Sequence, residues 1–172
     1  IEPDAIGRLR GNDAARRTEI AQHDADADAV LQWLSADAGV DAERLGALGF
    51  CIGGHLAFRA ALRPQVKATA CLYPTGLHNG KLGRGVADSL QRRGEIQGAL
   101  FTLFGSEDPH VPTDDREQIV EALSGLQHET MLVEANHTFM RDDGWRWDPE
   151  LADQAWAAVT AFLKRELGSA AH

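Results

Sequence analysis

The sequence has little of several residue types, and each shortage excludes a class of protein. Two cysteines, Cys51 and Cys71, in 172 residues are too few for a disulfide framework or a zinc ribbon. No apolar run approaches the ~18 residues of a membrane-spanning helix. The 17 Lys and Arg against 26 Asp and Glu give a net charge of −9, which disfavours nucleic acids and anionic membranes as partners, because both attract clustered positive charge. We therefore expect a cytoplasmic protein with neither partner.

The remaining composition is that of an ordinary globular domain. Hydrophobic residues make up 44% and charged residues 25% of the chain, which disfavours disorder and fibrous structure. The length predicts a single domain over residues 1–172. Residues 1–17 show no apolar periodicity that would seed a core, so irregular structure is expected there.

Short apolar runs alternate with amphipathic segments along the chain. The runs predict strands at 44–50, 66–73, 99–104 and 129–134, and the periodic segments predict helices at 18–37, 53–62, 86–93, 114–126 and 149–167. A glycine-rich, irregular passage is expected at 75–85. Strict alternation implies right-handed crossovers. The sequence therefore predicts an α/β fold with a parallel sheet of about four strands and flanking helices.

The stretch GFCIGG lies where a buried strand should turn into a helix. Such a turn strains its central residue, and Gly49 and Gly53, two places either side of Cys51, are expected to leave room for it. The sulfur would then lie at a helix N-terminus, which favours the thiolate. The backbone N–H of Ile52 would be a donor to an oxyanion. A buried free cysteine that merely packs is the alternative, and it is our interpretation of Cys71.

A nucleophilic cysteine needs a base and a group that orients the base. Asp108 follows the third predicted strand and His137 follows the fourth, at the strand ends where an open parallel sheet binds its ligands. Their order along the chain is nucleophile, acid, histidine, as in α/β hydrolases. Glu107 is an alternative acid, and His110 and His128 are alternative histidines near strand ends. No spacing typical of a metal site supports a metal.

Four motifs, GFCIGGHLAF, LYPTG, FGSEDPHVP and HTFMR, occur in this order and resemble those of the dienelactone hydrolase (carboxymethylenebutenolidase) family of α/β hydrolases. The resemblance extends from about residue 28 to 167. It implies a hydrolase that cleaves a small-molecule ester or lactone through a thioester, without a metal or organic cofactor. By the same resemblance Cys51 is the nucleophile, Asp108 the orienting acid and His137 the base.

Two further positions match substrate-binding residues of that family. Arg141 corresponds to an arginine that binds the substrate carboxylate, and Thr138 to a neighbouring hydroxyl-bearing position. A planar guanidinium suits a carboxylate because it donates two parallel hydrogen bonds. The alternative for Arg141 is a solvated surface residue beside Asp142 and Asp143. Trp156 could line a substrate pocket, but it lies on the apolar face of the last predicted helix, so we expect it to pack against the sheet.

The sequence departs from the family upstream of Cys51, where members carry several more strands. These would supply the second oxyanion donor, and they would cover the strand at 44–50, whose edge is otherwise apolar and unpaired. We therefore expect this chain to be the C-terminal part of the full fold, with that edge paired by a missing segment or another chain. The same departure motivates an alternative function, a non-catalytic α/β-hydrolase-like protein that binds a ligand or partner.

Overall fold

Strands and helices alternate along the chain in the order that the apolar runs predict. The computed structural model describes residues 5–168. Its strands are β1 Leu45–Phe50, β2 Val66–Leu72, β3 Ala99–Gly105 and β4 His128–Val133. Its α-helices are α1 Ala5–Arg17, α2 Ile20–Ala36, α3 Ile52–Ala60, α4 Thr113–Ala122 and α5 Pro149–Leu167. No described helix has the length and apolar character needed to cross a membrane.

The four strands form one parallel sheet in the order β1-β2-β3-β4. The predicted α/β class, strand number and parallel arrangement are therefore confirmed. Every residue of β3 is buried and all but one residue of β2, as expected for central strands covered on both faces. In the part of the chain that the structure describes, β1 pairs with β2 alone, and Leu48 on it is 37% exposed. How that edge is covered stays a prediction.

The core lies on both faces of this sheet. One face packs Leu72 and Leu103 against Val159 and Phe162 of α5. The other packs the helices α3 and α4, and it includes Cys71. Burial raises the pKa of Cys71 to about 12, so this thiol is a packing residue that stays neutral at physiological pH.

A buried arginine joins α2 to α3. Arg59 is 3% exposed, and its guanidinium binds the Asp24 carboxylate in two hydrogen bonds, of 2.9 and 2.6 Å. It also donates to Asp88 at 2.9 Å and to the Ser89 hydroxyl at 3.1 Å. His55, fully buried on α3, binds the same hydroxyl at 2.7 Å. The helix that begins at the candidate nucleophile is therefore fixed through polar groups as well as through apolar packing.

The expectation of irregular structure over residues 1–17 is wrong for the described part, which is helix α1. Ile6 and Leu9 on this helix are 59% and 68% exposed. Apolar periodicity reports which face of a helix is buried, so a solvent-facing helix of alanine and arginine, both strong helix formers, lacks that signal. Residues 1–4 lie outside the described residues.

The prediction of a helix at 86–93 is also wrong. The backbone N–H of Ala87 donates to the carbonyl of Gly80 at 2.9 Å instead of to a helical carbonyl. Asp88 and Ser89 point at Arg59, and this polar anchoring outweighs the weak local preference for helix. A single 3-10 turn, Arg93–Glu95, is the only regular element described between β2 and β3.

Candidate active site

Cys51 lies in a strained turn between β1 and α3. Its backbone has φ 56° and ψ −124°, in the left-handed half of the map that a residue with a side chain rarely adopts. A Cβ added to Gly49 would lie 1.9 Å from the carbonyl oxygen of Gly53, so the turn requires glycine at 49. A Cβ on Gly53 would meet no atom within 4 Å, whereas one on Gly54 would lie 3.1 Å from Pro74. The steric role expected of Gly53 is therefore wrong, whereas the absence of a side chain at Gly54 lets α3 approach Pro74, after β2.

Hydrogen bonds hold this turn in place. The Cys51 amide donates to the carbonyl of Leu72 at 3.0 Å, and the Cys51 carbonyl accepts from Gly54 at 3.0 Å and from Thr75 at 3.2 Å. The backbone on both sides of the sulfur is thus fixed by α3 and by the chain that follows β2. Strain of this kind persists where the surrounding structure over-determines the conformation, and it is concentrated at functional sites.

The fold brings Cys51, His137 and Asp108 together in one line. His137 Nε2 lies 3.2 Å from Cys51 Sγ, and His137 Nδ1 lies 2.6 Å from Asp108 Oδ2. His137 is 4% and Asp108 2% exposed. The second carboxylate oxygen of Asp108 accepts the backbone N–H of His110 at 2.8 Å. This is the contact geometry that a nucleophile, its base and an orienting acid require.

The charges in this cluster favour a thiolate and an imidazolium. Burial opposes the thiolate of Cys51, but hydrogen bonds with His137 and Thr75 outweigh it and lower the pKa of the thiol. Burial also opposes the charge on His137, yet hydrogen bonds with Asp108 and Cys51 raise its pKa to about 9. Each charge stabilises the other. The backbone N–H of Ile52, at the start of α3, is also directed at the sulfur.

The alternative residues lie elsewhere or play other parts. Glu107 is exposed, and His128 on β4 binds the hydroxyl of Thr102 at 2.8 Å. The ring of His110 packs edge-on against the His137 ring at 4.6 Å, so it flanks the imidazole that contacts the sulfur. Among residues 5–168 no three His, Cys, Asp or Glu side chains lie close enough together to hold a metal ion.

A pocket of about 280 Å³ opens beside the Cys51 sulfur. Most of its lining is apolar or aromatic, and the lining residues are Phe50, Cys51, Tyr73, Thr138, Met140, Arg141 and Trp156. Its size suits a small molecule, and its aromatic walls suit an apolar or planar group.

Arg141 and Thr138 both line this pocket, but Arg141 is already paired. Its guanidinium donates two hydrogen bonds to the Asp143 carboxylate, and both side chains are more than 60% exposed. Exposed pairs of this kind are weak, because solvent and salt screen the attraction. A substrate carboxylate can therefore compete with Asp143 for Arg141.

The sequence left open whether Trp156 lines a pocket, and it did not place Phe50 or Tyr73 at the site. Trp156 packs edge-on against Phe50 of β1 at 5.8 Å and also lines the pocket. It therefore both packs against the sheet and forms part of the pocket wall. Tyr73 has φ 39° and packs edge-on against the His137 ring at 5.1 Å. Its position at the end of a predicted strand, in LYPTG, is the signal that could have found it.

Comparison with known proteins finds relatives similar in sequence and in fold. The model of the dienelactone hydrolase family matches residues 4–167. Two relatives bear the name "Putative carboxymethylenebutenolidase". The one from Synechocystis sp. is 32% identical over 154 residues, which cover 88% of this chain and 62% of the relative. The one from Saccharomyces cerevisiae is 33% identical over 147 residues, 81% of this chain and 54% of the relative.

A solved structure agrees with the fold. The "Putative Dienelactone Hydrolase" from Klebsiella pneumoniae superimposes with a TM-score of 0.71 at 28% identity, over 84% of this chain and 61% of that one. The chain thus spans between half and two thirds of the length of these three proteins. With the family model covering almost all of its residues, the chain belongs to the dienelactone hydrolase family.

Proposed function

We propose that this chain hydrolyses a small-molecule carboxylic ester or lactone through a covalent thioester on Cys51. The observation that carries the proposal is the line of contacts from Cys51 to His137 to Asp108, at 3.2 and 2.6 Å. Membership of the family supports the reaction class. The strained turn at Cys51 and the pocket beside its sulfur support a nucleophile rather than a packing cysteine.

In the first half of the reaction the thiolate of Cys51 attacks the carbonyl carbon of the substrate. A C–S bond forms and the carbonyl π electrons move to oxygen, giving an oxyanion that the Ile52 N–H stabilises. When the intermediate collapses, the ester C–O bond breaks and the imidazolium of His137 protonates the departing oxygen from Nε2. The enzyme is left as a thioester with a neutral histidine.

In the second half water attacks the thioester carbonyl while the neutral His137 accepts one of its protons. Collapse of this intermediate breaks the C–S bond and releases a carboxylic acid. The thiolate and the imidazolium are both restored. Asp108 remains a carboxylate throughout, holding the proton on Nδ1 and favouring the charged imidazolium.

Thr138 and Arg141 are proposed to bind the substrate at the pocket rim, with Arg141 taking a carboxylate if the substrate has one. A matched pair of aryl esters, one neutral and one with a carboxylate on its acyl chain, tests this. Asp143→Asn should lower KM several-fold for the carboxylate ester alone, because it frees the guanidinium. An equal effect on both esters would count against substrate binding by Arg141.

The nucleophile is tested by comparing Cys51→Ala with Cys71→Ala on hydrolysis of para-nitrophenyl acetate. Cys51→Ala should lower kcat/KM by about 10³-fold or more, because it removes the sulfur that forms the proposed acyl intermediate. Cys71→Ala should leave turnover near that of the unaltered chain, since Cys71 is fully buried. Retained activity in Cys51→Ala would refute the assignment. A chain that alkylates rapidly at Cys51 but hydrolyses no ester would support the binding-protein alternative.

A further inference from the structure

The loop that follows β2 places a hydroxyl beside the Cys51 sulfur. Thr75 Oγ1 lies 3.6 Å from Cys51 Sγ, within the range of a hydrogen bond to sulfur. The backbone N–H of the same residue donates to the Cys51 carbonyl at 3.2 Å. Thr75 therefore contacts the candidate nucleophile twice, once through its backbone and once through its side chain.

The position of this hydroxyl is fixed by the backbone around it. Tyr73, two residues earlier, has φ 39°, and Gly76 has φ 72°. A Cβ on Gly76 would lie 2.0 Å from the carbonyl oxygen of Lys81, so the sharp turn after Thr75 requires glycine. Threonine is also branched at Cβ and has few rotamers to lose. The contact with the sulfur is thus set before any substrate binds.

A thiolate at this place needs more than one donor. Cys51 is partly buried, and burial favours the neutral thiol. His137 Nε2 lies 3.2 Å from the sulfur, but that proton is the one that His137 must give up to the leaving group. The Ile52 N–H is also directed at the sulfur, but in the proposed reaction it binds the oxyanion. The Thr75 hydroxyl takes part in neither step, so it can hold the charge on sulfur throughout.

We propose that, within the hydrolase function proposed above, the Thr75 hydroxyl donates a hydrogen bond to the Cys51 thiolate and so stabilises the ionised form of the nucleophile. Its removal should make the thiol harder to ionise while leaving the nucleophile, the base and the acid in place. A hydroxyl that only packed against the sulfur would not move the pH at which the sulfur ionises.

The test is the pH profile of Cys51 alkylation by iodoacetamide, which needs no ester hydrolysis. The rate is measured for the unaltered chain, Thr75→Val, Thr75→Ser and the control Thr160→Val, and the alkylated peptide is identified by mass spectrometry. Valine keeps the shape of threonine without the hydroxyl, and serine keeps the hydroxyl. Thr160 is exposed on α5, so Thr160→Val makes the same threonine-to-valine exchange at a place remote from Cys51.

In Thr75→Val the pH at which Cys51 alkylation reaches half of its limiting rate, the midpoint of the profile, should rise by about one unit. This is the effect of losing one hydrogen bond to a charged group. The limiting rate at high pH should not fall. Thr75→Ser and Thr160→Val should keep the original midpoint. A Thr75→Val midpoint equal to that of Thr160→Val would overturn the proposal. If Thr75→Val does not fold, a Thr75→Ala midpoint that is unshifted relative to Thr75→Ser would overturn it equally. Turnover in Cys51→Ala, by contrast, would refute the nucleophile and not the hydrogen bond.

Discussion

Asp108→Asn preserves the size and shape of the side chain but exchanges one carboxylate oxygen for an NH₂ group. Both oxygens of Asp108 accept hydrogen bonds, Oδ1 from the His110 amide at 2.8 Å and Oδ2 from His137 Nδ1 at 2.6 Å. Asparagine offers one acceptor and one donor group. Whichever way its amide is oriented, an NH₂ group therefore faces either the His110 N–H or Nδ1 of His137.

The expected changes in pKa and in stability follow from these two contacts. A hydrogen bond to a charged group is worth about 1.5–3 kcal/mol, and each pKa unit corresponds to about 1.4 kcal/mol. Losing the charged partner should lower the pKa of His137 from about 9 by about one to two units. The thiolate of Cys51 then loses part of its cationic partner, so its own pKa should rise by about one unit. The mispaired buried amide should also cost about 1–3 kcal/mol of stability.

The measurement is the pH dependence of iodoacetamide alkylation, in a Cys71→Ala background so that one thiol remains. With Asp108 intact, the midpoint of Cys51 alkylation should lie below the ~8.5 of a free thiol. In Asp108→Asn it should lie about one pH unit higher. Urea unfolding gives the accompanying loss of stability. Identical midpoints for the two chains, or a midpoint at the free-thiol value with Asp108 intact, would refute the reasoning.

Gly49→Ala should abolish stable folding, because its Cβ would lie 1.9 Å from a carbonyl oxygen, whereas Gly53→Ala, with no atom within 4 Å, should stabilise α3 by up to ~1 kcal/mol. Equal stabilities in urea titrations would contradict this steric account. The pKa of His137, raised to about 9, means that its proton is present at neutral pH and lost above that value. kcat/KM for an alkyl ester, whose leaving group needs the proton, should therefore fall as the pH rises through about 9, and that for a para-nitrophenyl ester should not. The same decline for both esters would exclude His137 as the acid. Arg59→Met removes the buried partner of Asp24, which keeps only Arg63 at 3.3 Å, and should cost about 3 kcal/mol in urea unfolding. Arg44→Met, in an exposed pair, should change the stability little. A loss for Arg59→Met as small as that control would show that the buried network contributes little.

The strands are the part of the fold that local sequence predicts best. A strand covered on both faces must be apolar along its length, so the runs at 66–73 and 99–104 match β2 and β3 to within one residue. Helix α1 escaped prediction because it buries little apolar surface and therefore has no periodic stripe. The helix predicted at 86–93 failed for the opposite reason, since Asp88 and Ser89 serve a distant arginine rather than their own segment.

The sequence by itself determined the fold class and placed Cys51, Asp108 and His137 after three strands, in an order that a parallel sheet converts into proximity. Only the tertiary structure decided that their atoms lie at 3.2 and 2.6 Å, that Gly49 rather than Gly53 makes room for the turn, and that Thr75 contacts the sulfur. It also decided that Phe50 and Trp156 share one wall of a pocket. The reason is physical: alternating apolar runs encode which elements form, because burial acts on each segment locally. Distances between side chains far apart in the chain depend on how the finished elements pack.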